Sequence, residues 1–179
     1  MRGLAQPQDL FLHLSEALKA RPEELPERVN DLVERLRTAE KEIERARLQQ
    51  LLAAGDRLAA TATDVAGVSF VGHRVDGAGP GDVRKLALDI RGRMAPEQPA
   101  VVAVVGSVDG KPAIVVATNE RARQSGLSAR ELIAVAAPVL GGSGGGKDDV
   151  AQGGGTQISG IDAALHEIRQ AVGQRDAGV

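Results

Sequence analysis

LGGSGGGKDDVAQGGGT, residues Leu140 to Thr156, holds two glycine clusters, Gly141 to Gly146 and Gly153 to Gly155, around one lysine, two aspartates and one glutamine. Glycine gives up side-chain burial and costs backbone entropy. A folded chain therefore concentrates it where φ is positive, or where another backbone or a ligand approaches closely. The segment reads as a binding loop, residues 141–155, whose amide N–H groups form a nest for phosphate oxygens. Lys147 brings a charge, and Gln152 a head group that both donates and accepts. The alternative is a flexible linker, which glycine-rich composition also permits.

A helix stands on each side of this segment. Upstream, SARELIAVAAPVL opens on Ser128 with Glu131 three residues on, the spacing of a capping box, and Pro138 kinks or ends it. Downstream, Ile161, Ala164, Leu165, Ile168 and Val172 mark one face of a helix from Ile158 to about Val172, and Gly173 to Val179 reads as a frayed tail. Farther upstream, PAVVAVVG (Pro99 to Gly106) and KPAIVVAT (Lys111 to Thr118) are continuous apolar strands with a hairpin signal, Asp109-Gly110, between them. Valine runs of this kind imply a sheet covered by helices on at least one face. GVSFV (Gly67 to Val71) is another strand, followed by the turn-rich DGAGPGD. Asp82 then precedes Val83, Leu86, Ala87, Ile90 and Met94, a helix carrying Arg84, Lys85, Arg91 and Arg93 on its outer face. That basic face is either a solvated surface or a phosphate contact.

The N-terminal third speaks a different language. Residues 1–8 have no periodic pattern and read as a severed connection. Leu10, Phe11, Leu14, Ala17 and Leu18 fit a short amphipathic helix with Asp9 as its N-cap, ending near Ala20 ahead of Pro22. A second helix begins near Pro26. Leu25, Val29, Leu32, Leu36, Ala39, Ile43, Ala46 and Gln50 alternate steps of four and three, which is a heptad seam. With Val29 at an a position, Arg35 and Glu40, and Glu42 and Arg47, stand at g and e positions of opposite sign. The seam suits either a second copy of the chain or an antiparallel hairpin with the preceding helix. Gly55 and Asp56 interrupt the heptads without a proline, so the helix is expected to run on to about Ala60. The fold class expected is α/β: a helical, coiled-coil-like arm over residues 1–62, then a small β-sheet covered by helices over residues 63–179.

Composition narrows the function. Hydrophobic residues make up 42% of the chain but aromatics only 1%, Phe11 and Phe70, so the core must be built from Val, Leu, Ile and Ala. A formal charge of −2 gives no global basic field, and any nucleic-acid contact must be a local patch. With no cysteine and three scattered histidines, a structural zinc site is not expected in this chain. No apolar run reaches the roughly 18 residues of a membrane span, and the first residues lack a signal-peptide core, so the chain reads as cytoplasmic, with no membrane partner. Gly141 to Lys147 fits G-x-x-x-x-G-K, but Asp148 replaces the magnesium-binding hydroxyl and Gly153 to Gly155 would break the helix behind it, which rules out a Walker site. His73 and His166 have no acid or nucleophile partner in sequence and read as ordinary surface or hydrogen-bonded residues. No catalytic residues emerge; the residues themselves describe a binding and assembly module.

GGSGGGKDDVAQGGG followed by an apolar-faced helix closely resembles the end of bacterial alanyl-tRNA synthetases, where a glycine-rich, basic, acidic, Ala-Gln, Gly-Gly pattern precedes the last helix. LSEALKARPEELPERVNDLVERLRTAEKEIE is similar to the helical segment that joins that enzyme's editing and C-terminal domains, so the resemblance covers essentially the whole chain. The glycine pattern is shared more loosely by DHH-associated domains of phosphoesterases. The family has Pro after its Lys or Arg, where this chain has Asp148. The resemblance implies a C-terminal domain of an alanine-tRNA ligase that binds the elbow of tRNA(Ala) and supports aminoacylation and editing, with the helical arm contributing to a homodimer. It implies no cofactor here, with ATP, magnesium and zinc belonging to an upstream part of the enzyme. Gly144, Gly145, Gly146, Lys147, Gln152, Gly153 and Gly154 carry over as tRNA-contacting or loop-shaping positions. Two other classes stay open: a coiled-coil dimerisation module, and the accessory domain of a DHH-type phosphoesterase.

Overall fold

The computed structural model describes residues 6–175, and the expectations for residues 1–5 and 176–179 lie outside them. The chain divides into two compact units, Met1–Leu48 and Gln49–Val179. In the first, α1 (Pro7–Leu18) starts at Gln6, with Pro7 in its first turn, and not at Asp9. Proline's fixed φ and missing N–H cost nothing there. It ends where Lys19 turns left-handed at φ 50°. The long helix α2 (Leu25–Ala53) follows a short 3-10 turn, Pro22–Glu24. No antiparallel hairpin forms: Leu10, Phe11 and Leu14 of α1, and Val29, Leu36 and Ile43 of α2, all remain exposed. The helical pattern does not run unbroken to Ala60, since α2 stops at Ala53 and α3 (Gly55–Ala60) begins anew. A Cβ on Gly55 would stand on the Asp89 carboxylate, so close approach fixes the glycine at this break.

The second unit is built on a six-stranded sheet in the order β1-β2-β3-β4-β6-β5. Strand β1 (Thr63–Val65) is an edge absent from the sequence expectation, because three polar-flanked residues carry no pattern. It turns into β2 (Val68–Asp76) through Ala66 and Gly67, both at positive φ, the geometry of a tight hairpin turn. Strand β2 runs five residues beyond Val71, through Gly72, His73 and Arg74, which hid it from an apolar-run criterion. It pairs in parallel with β3 (Ala100–Val108), and parallel neighbours need a crossover, which α4 (Pro80–Arg93) supplies. Gly79 occupies the N-cap of α4, and Asp82 lies within its first turn. Strand β4 (Lys111–Thr118) returns antiparallel through Asp109 and Gly110, at φ 52° and 75°, as the Asp-Gly signal predicts.

Valines on successive positions of β3 and β4 face opposite sides, and both sides are covered. Val101, Ala103, Val105, Ile114 and Val116 pack with Leu132 and Ile133 of α6 (Ala129–Ala136) and Ile161, Ala164 and Ile168 of α7 (Ile161–Gln174). Val102, Val104, Val115 and Ala117 pack with Val83, Leu86 and Ile90 of α4 and Leu58 of α3. Full burial of each such side chain is worth about 1.5–3 kcal/mol, so the near absence of aromatics is offset by number. The short helix α5 (Glu120–Gln124) is N-capped by Asn119, whose side chain accepts from the Ala122 amide. Helix α7 starts after a 3-10 turn, Ile158–Gly160, and reaches two residues past Val172.

The glycine-rich segment differs most from expectation. It is not a loop: Ser143–Gly146 is strand β5, Val150–Gly154 is strand β6, and only residues 147–149 turn between them. Strand β6 joins β4, and β5 forms the outer edge. In an extended ladder successive amides point to opposite sides of the strand and do not converge on one phosphate as a nest requires, and side-chain patterns cannot announce a strand made of glycine.

Candidate nucleic-acid interface

Register sorts the hairpin's residues between its two faces. Gly144 pairs with Gly153, and both face α6. A Cβ on Gly144 would lie 2.6 Å from Ile133 Cγ2 and from the β6 backbone, and one on Gly153 would lie 3.3 Å from Ala137 Cβ. These glycines let the hairpin backbone lie directly on the helix layer. Gly146 holds φ 149° with no room for a side chain beside Ala151, and Gly142 and Gly155 cross in backbone contact with Gly154 and Leu140. Close backbone approach thus accounts for much of the glycine content.

The opposite face is open. Helix α4 covers β3 and β4 but leaves Gly145, paired with Gln152, and Ser143, paired with Gly154, facing solvent. Nothing lies within 4 Å of a Cβ built on Gly145. Two grooves flank Gln152 on this floor. One, of about 560 Å³, lies between the start of α4 at Pro80 and the hairpin, and takes in Lys111, Gln152, Gly153 and Gly154. The other, of about 520 Å³, is lined by Arg84, Gly145, Gly146, Lys147 and Gln152. Of the seven residues expected at a site, Gly144 alone lines neither groove. Gln152 and Lys147 are exposed, at the centre and the rim.

Packing of α4 on the sheet brings Arg84 to the groove that holds Lys147. Two of its neighbours on the expected basic face, Arg91 and Arg93, are otherwise engaged. Arg93 binds Asp89 at 2.8 Å and Asp56 at 2.5 Å, and these carboxylates raise its pKa. Arg91 turns inward to the carbonyls of Thr118 (3.3 Å) and Asp149 (3.2 Å), and burial lowers its pKa while Asp149 opposes the shift.

Asp148, at the position where the resemblance expects proline, organises the turn. Its carbonyl accepts the Ala129 amide at the start of α6 and the hydroxyl of the fully buried Thr118 at 2.6 Å. Its carboxylate accepts the Ser128 hydroxyl at 2.6 Å. The expected capping box of Ser128 and Glu131 is therefore absent, because Ser128 turns to Asp148 and makes no side-chain cap on α6. The helix start and the Lys147 turn are tied into one network instead.

The histidines lie elsewhere. His73 is on β2, with β3 and β4 between it and the glycine hairpin, and burial lowers its pKa. His166 is exposed on α7 with Nε2 3.4 Å from the Gln170 amide nitrogen. Among the described residues no three His, Asp or Glu side chains converge, and no helix is long and apolar enough to cross a membrane. The arrangement offers a flat peptide floor, one amide head group and a cationic rim, which is equipment for holding a planar, anionic partner.

The chain is similar to known proteins. An alanine–tRNA ligase from Nocardioides sp. is 59% identical over 177 residues, 99% of this chain and 20% of that protein. The alanine–tRNA ligase of Thermobifida fusca is 51% identical over 96% of this chain, again 20% of its own length. The chain thus spans about one fifth of the length of the relatives it matches. The crystal structure of the C-Ala domain from Aquifex aeolicus alanyl-tRNA synthetase shares the fold, with a TM-score of 0.58 over 63% of this chain and 98% of that one, at 24% identity. The glycine pattern's resemblance to alanyl-tRNA synthetases therefore extends along nearly the whole sequence, and with residues 67–174 matching the DHHA1 domain, the chain belongs to the DHHA1 domain family.

Proposed function

We propose that this chain is the C-terminal tRNA-binding domain of an alanine-tRNA ligase, which takes the elbow of tRNA(Ala) on the open face of its glycine hairpin. Aminoacylation and editing, with their ATP, magnesium and zinc, belong to parts of the enzyme outside these residues, and this domain holds the tRNA for both in the cytoplasm. The observation that carries the reading is the uncovered floor at Gly145, Gln152 and Gly154, flanked by Arg84 and Lys147. Proteins recognise RNA by shape and by stacking on exposed bases, and the glycine positions of this floor, Gly145 and Gly154 beside Gln152, admit a flat base surface to within van der Waals distance of the peptide planes. Gln152, standing between the grooves, donates to and accepts from a base edge or ribose, while Lys147 and Arg84 meet phosphates. A second copy of the chain is the partner proposed for the arm, whose heptad positions Val29, Leu36 and Ile43 stay exposed.

Fluorescence anisotropy of full-length alanine tRNA tests the contact residues. Lys147→Ala and Arg84→Ala should each weaken binding and each lower the slope of log affinity against log salt by about one phosphate's worth. Unchanged affinity and slope in both variants would move the RNA to another surface.

A further inference from the structure

We propose that Arg91 is the positioning residue of this interface: planted between the end of β4 and the start of β6, its guanidinium fixes the 147–149 turn and with it the direction in which Lys147 presents its charge. The proposal rests on the nucleic-acid reading above.

The turn has little of its own to hold it. Glycines precede it on β5, so no side chain there anchors it, and its own closure is one bond from the Lys147 amide to the Val150 carbonyl at 2.9 Å. Order must come from its neighbours. Thr118, at the end of β4, is the hub: its amide donates to the Asp149 carbonyl at 2.9 Å and its hydroxyl to the Asp148 carbonyl. Arg91 closes the arrangement from the α4 side. A single nitrogen, Nη1, donates to both the Thr118 and Asp149 carbonyls, so one guanidinium corner spans the two strands. Arg123 Nη1 donates to the same Thr118 carbonyl from α5. Charge-assisted bonds to carbonyls in a partly desolvated setting are about twice as strong as neutral ones, and arginine keeps its charge where lysine would lose it. Burial lowers the Arg91 pKa most, Asp149 opposes that shift, and the like charges of Arg123 and Arg84 add to it. Arg91 is thus spent on the backbone, while Lys147, two residues before the carbonyl it grips, stays free at the rim.

Hydrogen exchange and tRNA binding on the full 179-residue chain test this, with Arg91→Gln and the milder Arg91→Lys. In Arg91→Gln the amides of Lys147, Thr118 and Ala129 should exchange at least about tenfold faster, while those of Val104 and Val115 keep their wild-type rates. Arg91→Lys, which keeps a shorter nitrogen donor on the α4 side, should fall between. Affinity for alanine tRNA should drop about five- to tenfold in Arg91→Gln, and the same change made in a Lys147→Ala background should cost little more, because the effect runs through Lys147. Uniformly faster exchange across the sheet would overturn the proposal by making Arg91 a general support of the fold. Full additivity with Lys147→Ala would overturn it by making Arg91 a direct RNA contact. If the wild-type chain binds no RNA, the nucleic-acid reading fails and the positioning role with it, while the exchange pattern still decides whether Arg91 holds the turn.

Discussion

Alanine at Gly144 and alanine at Gly145 should have opposite consequences, although the two residues are adjacent and identical. A methyl group on Gly144 would meet the Gln152 carbonyl oxygen, Gly153 Cα and Ile133 Cγ2, each at 2.6 Å. Two of these are backbone atoms of a paired strand and cannot move without breaking the ladder. Overpacking of this kind costs about 1–3 kcal/mol. For a unit of about 130 residues, unfolding entropy near 2.1 cal/mol/K per residue converts each kcal/mol to roughly 3.6 °C, so Gly144→Ala should lower the melting temperature by about 4–11 °C. A methyl on Gly145 meets nothing within 4 Å. Removing glycine's freedom in the unfolded chain at such a site stabilises by about 0.4–1 kcal/mol, so Gly145→Ala should melt about 1–4 °C higher. The same methyl stands on the open floor beside Gln152 and holds a flat partner off the peptide plane, which should weaken tRNA binding on the order of tenfold, about 1.4 kcal/mol. Circular dichroism melts and anisotropy titrations on the two variants read both effects. A destabilised Gly145→Ala beside an unaffected Gly144→Ala would mean that the hairpin's faces are reversed. Wild-type tRNA affinity in Gly145→Ala would mean that the floor is not the contact surface.

Further outcomes follow from packing, ionisation and the arm. Gly106→Ala would place a Cβ against the Ala78 carbonyl and Val83 Cγ2, and should cost about 1–3 kcal/mol, seen as a lower urea midpoint at unchanged m-value. Burial holds the His73 pKa below its ordinary 6.5, so the unfolded chain takes up that proton first: stability is full above that value and is lost as pH falls through the lowered pKa. Melting temperatures between about pH 8 and pH 5 should therefore fall further in the wild type than in His73→Gln, and equal falls would remove His73 from the account. Sedimentation velocity should show concentration-dependent association that Ile43→Lys abolishes, whereas a monomer at all concentrations would leave the seam without a second copy.

The β3–β4 hairpin was legible because two apolar runs and an Asp-Gly turn agree with each other, and tertiary packing had nothing to override. Strand β2 is longer than its apolar run, because Gly72, His73 and Arg74 interrupt the pattern while backbone pairing with β3 continues through them. The glycine segment was legible as a feature but not as a structure. A strand's sequence signal is side-chain alternation, and Ser143–Gly146 has almost none to alternate, so the hairpin emerges only from ladder pairing with β4. For the same reason the two faces of the hairpin, one packed on α6 and one open, could not be separated in sequence. Lys147 and Gln152 stand out by type among glycines. Arg84 does not, because its place beside Lys147 depends on how α4 lies on the sheet. The Ser128 capping box failed through competition: Asp148, twenty residues on, offered the hydroxyl a carboxylate.

The most direct test of the account is the affinity of this chain for three RNAs: full-length alanine tRNA, a full-length non-cognate tRNA, and an isolated alanine acceptor hairpin, at about 50 and 200 mM salt. Elbow recognition requires that both complete tRNAs bind, with salt-sensitive affinity, and that the hairpin does not. Binding to the hairpin alone would contradict it and move the contact to the acceptor stem. Failure to bind any of the three, with the fold intact by circular dichroism, would leave assembly through the helical arm as the role of this chain.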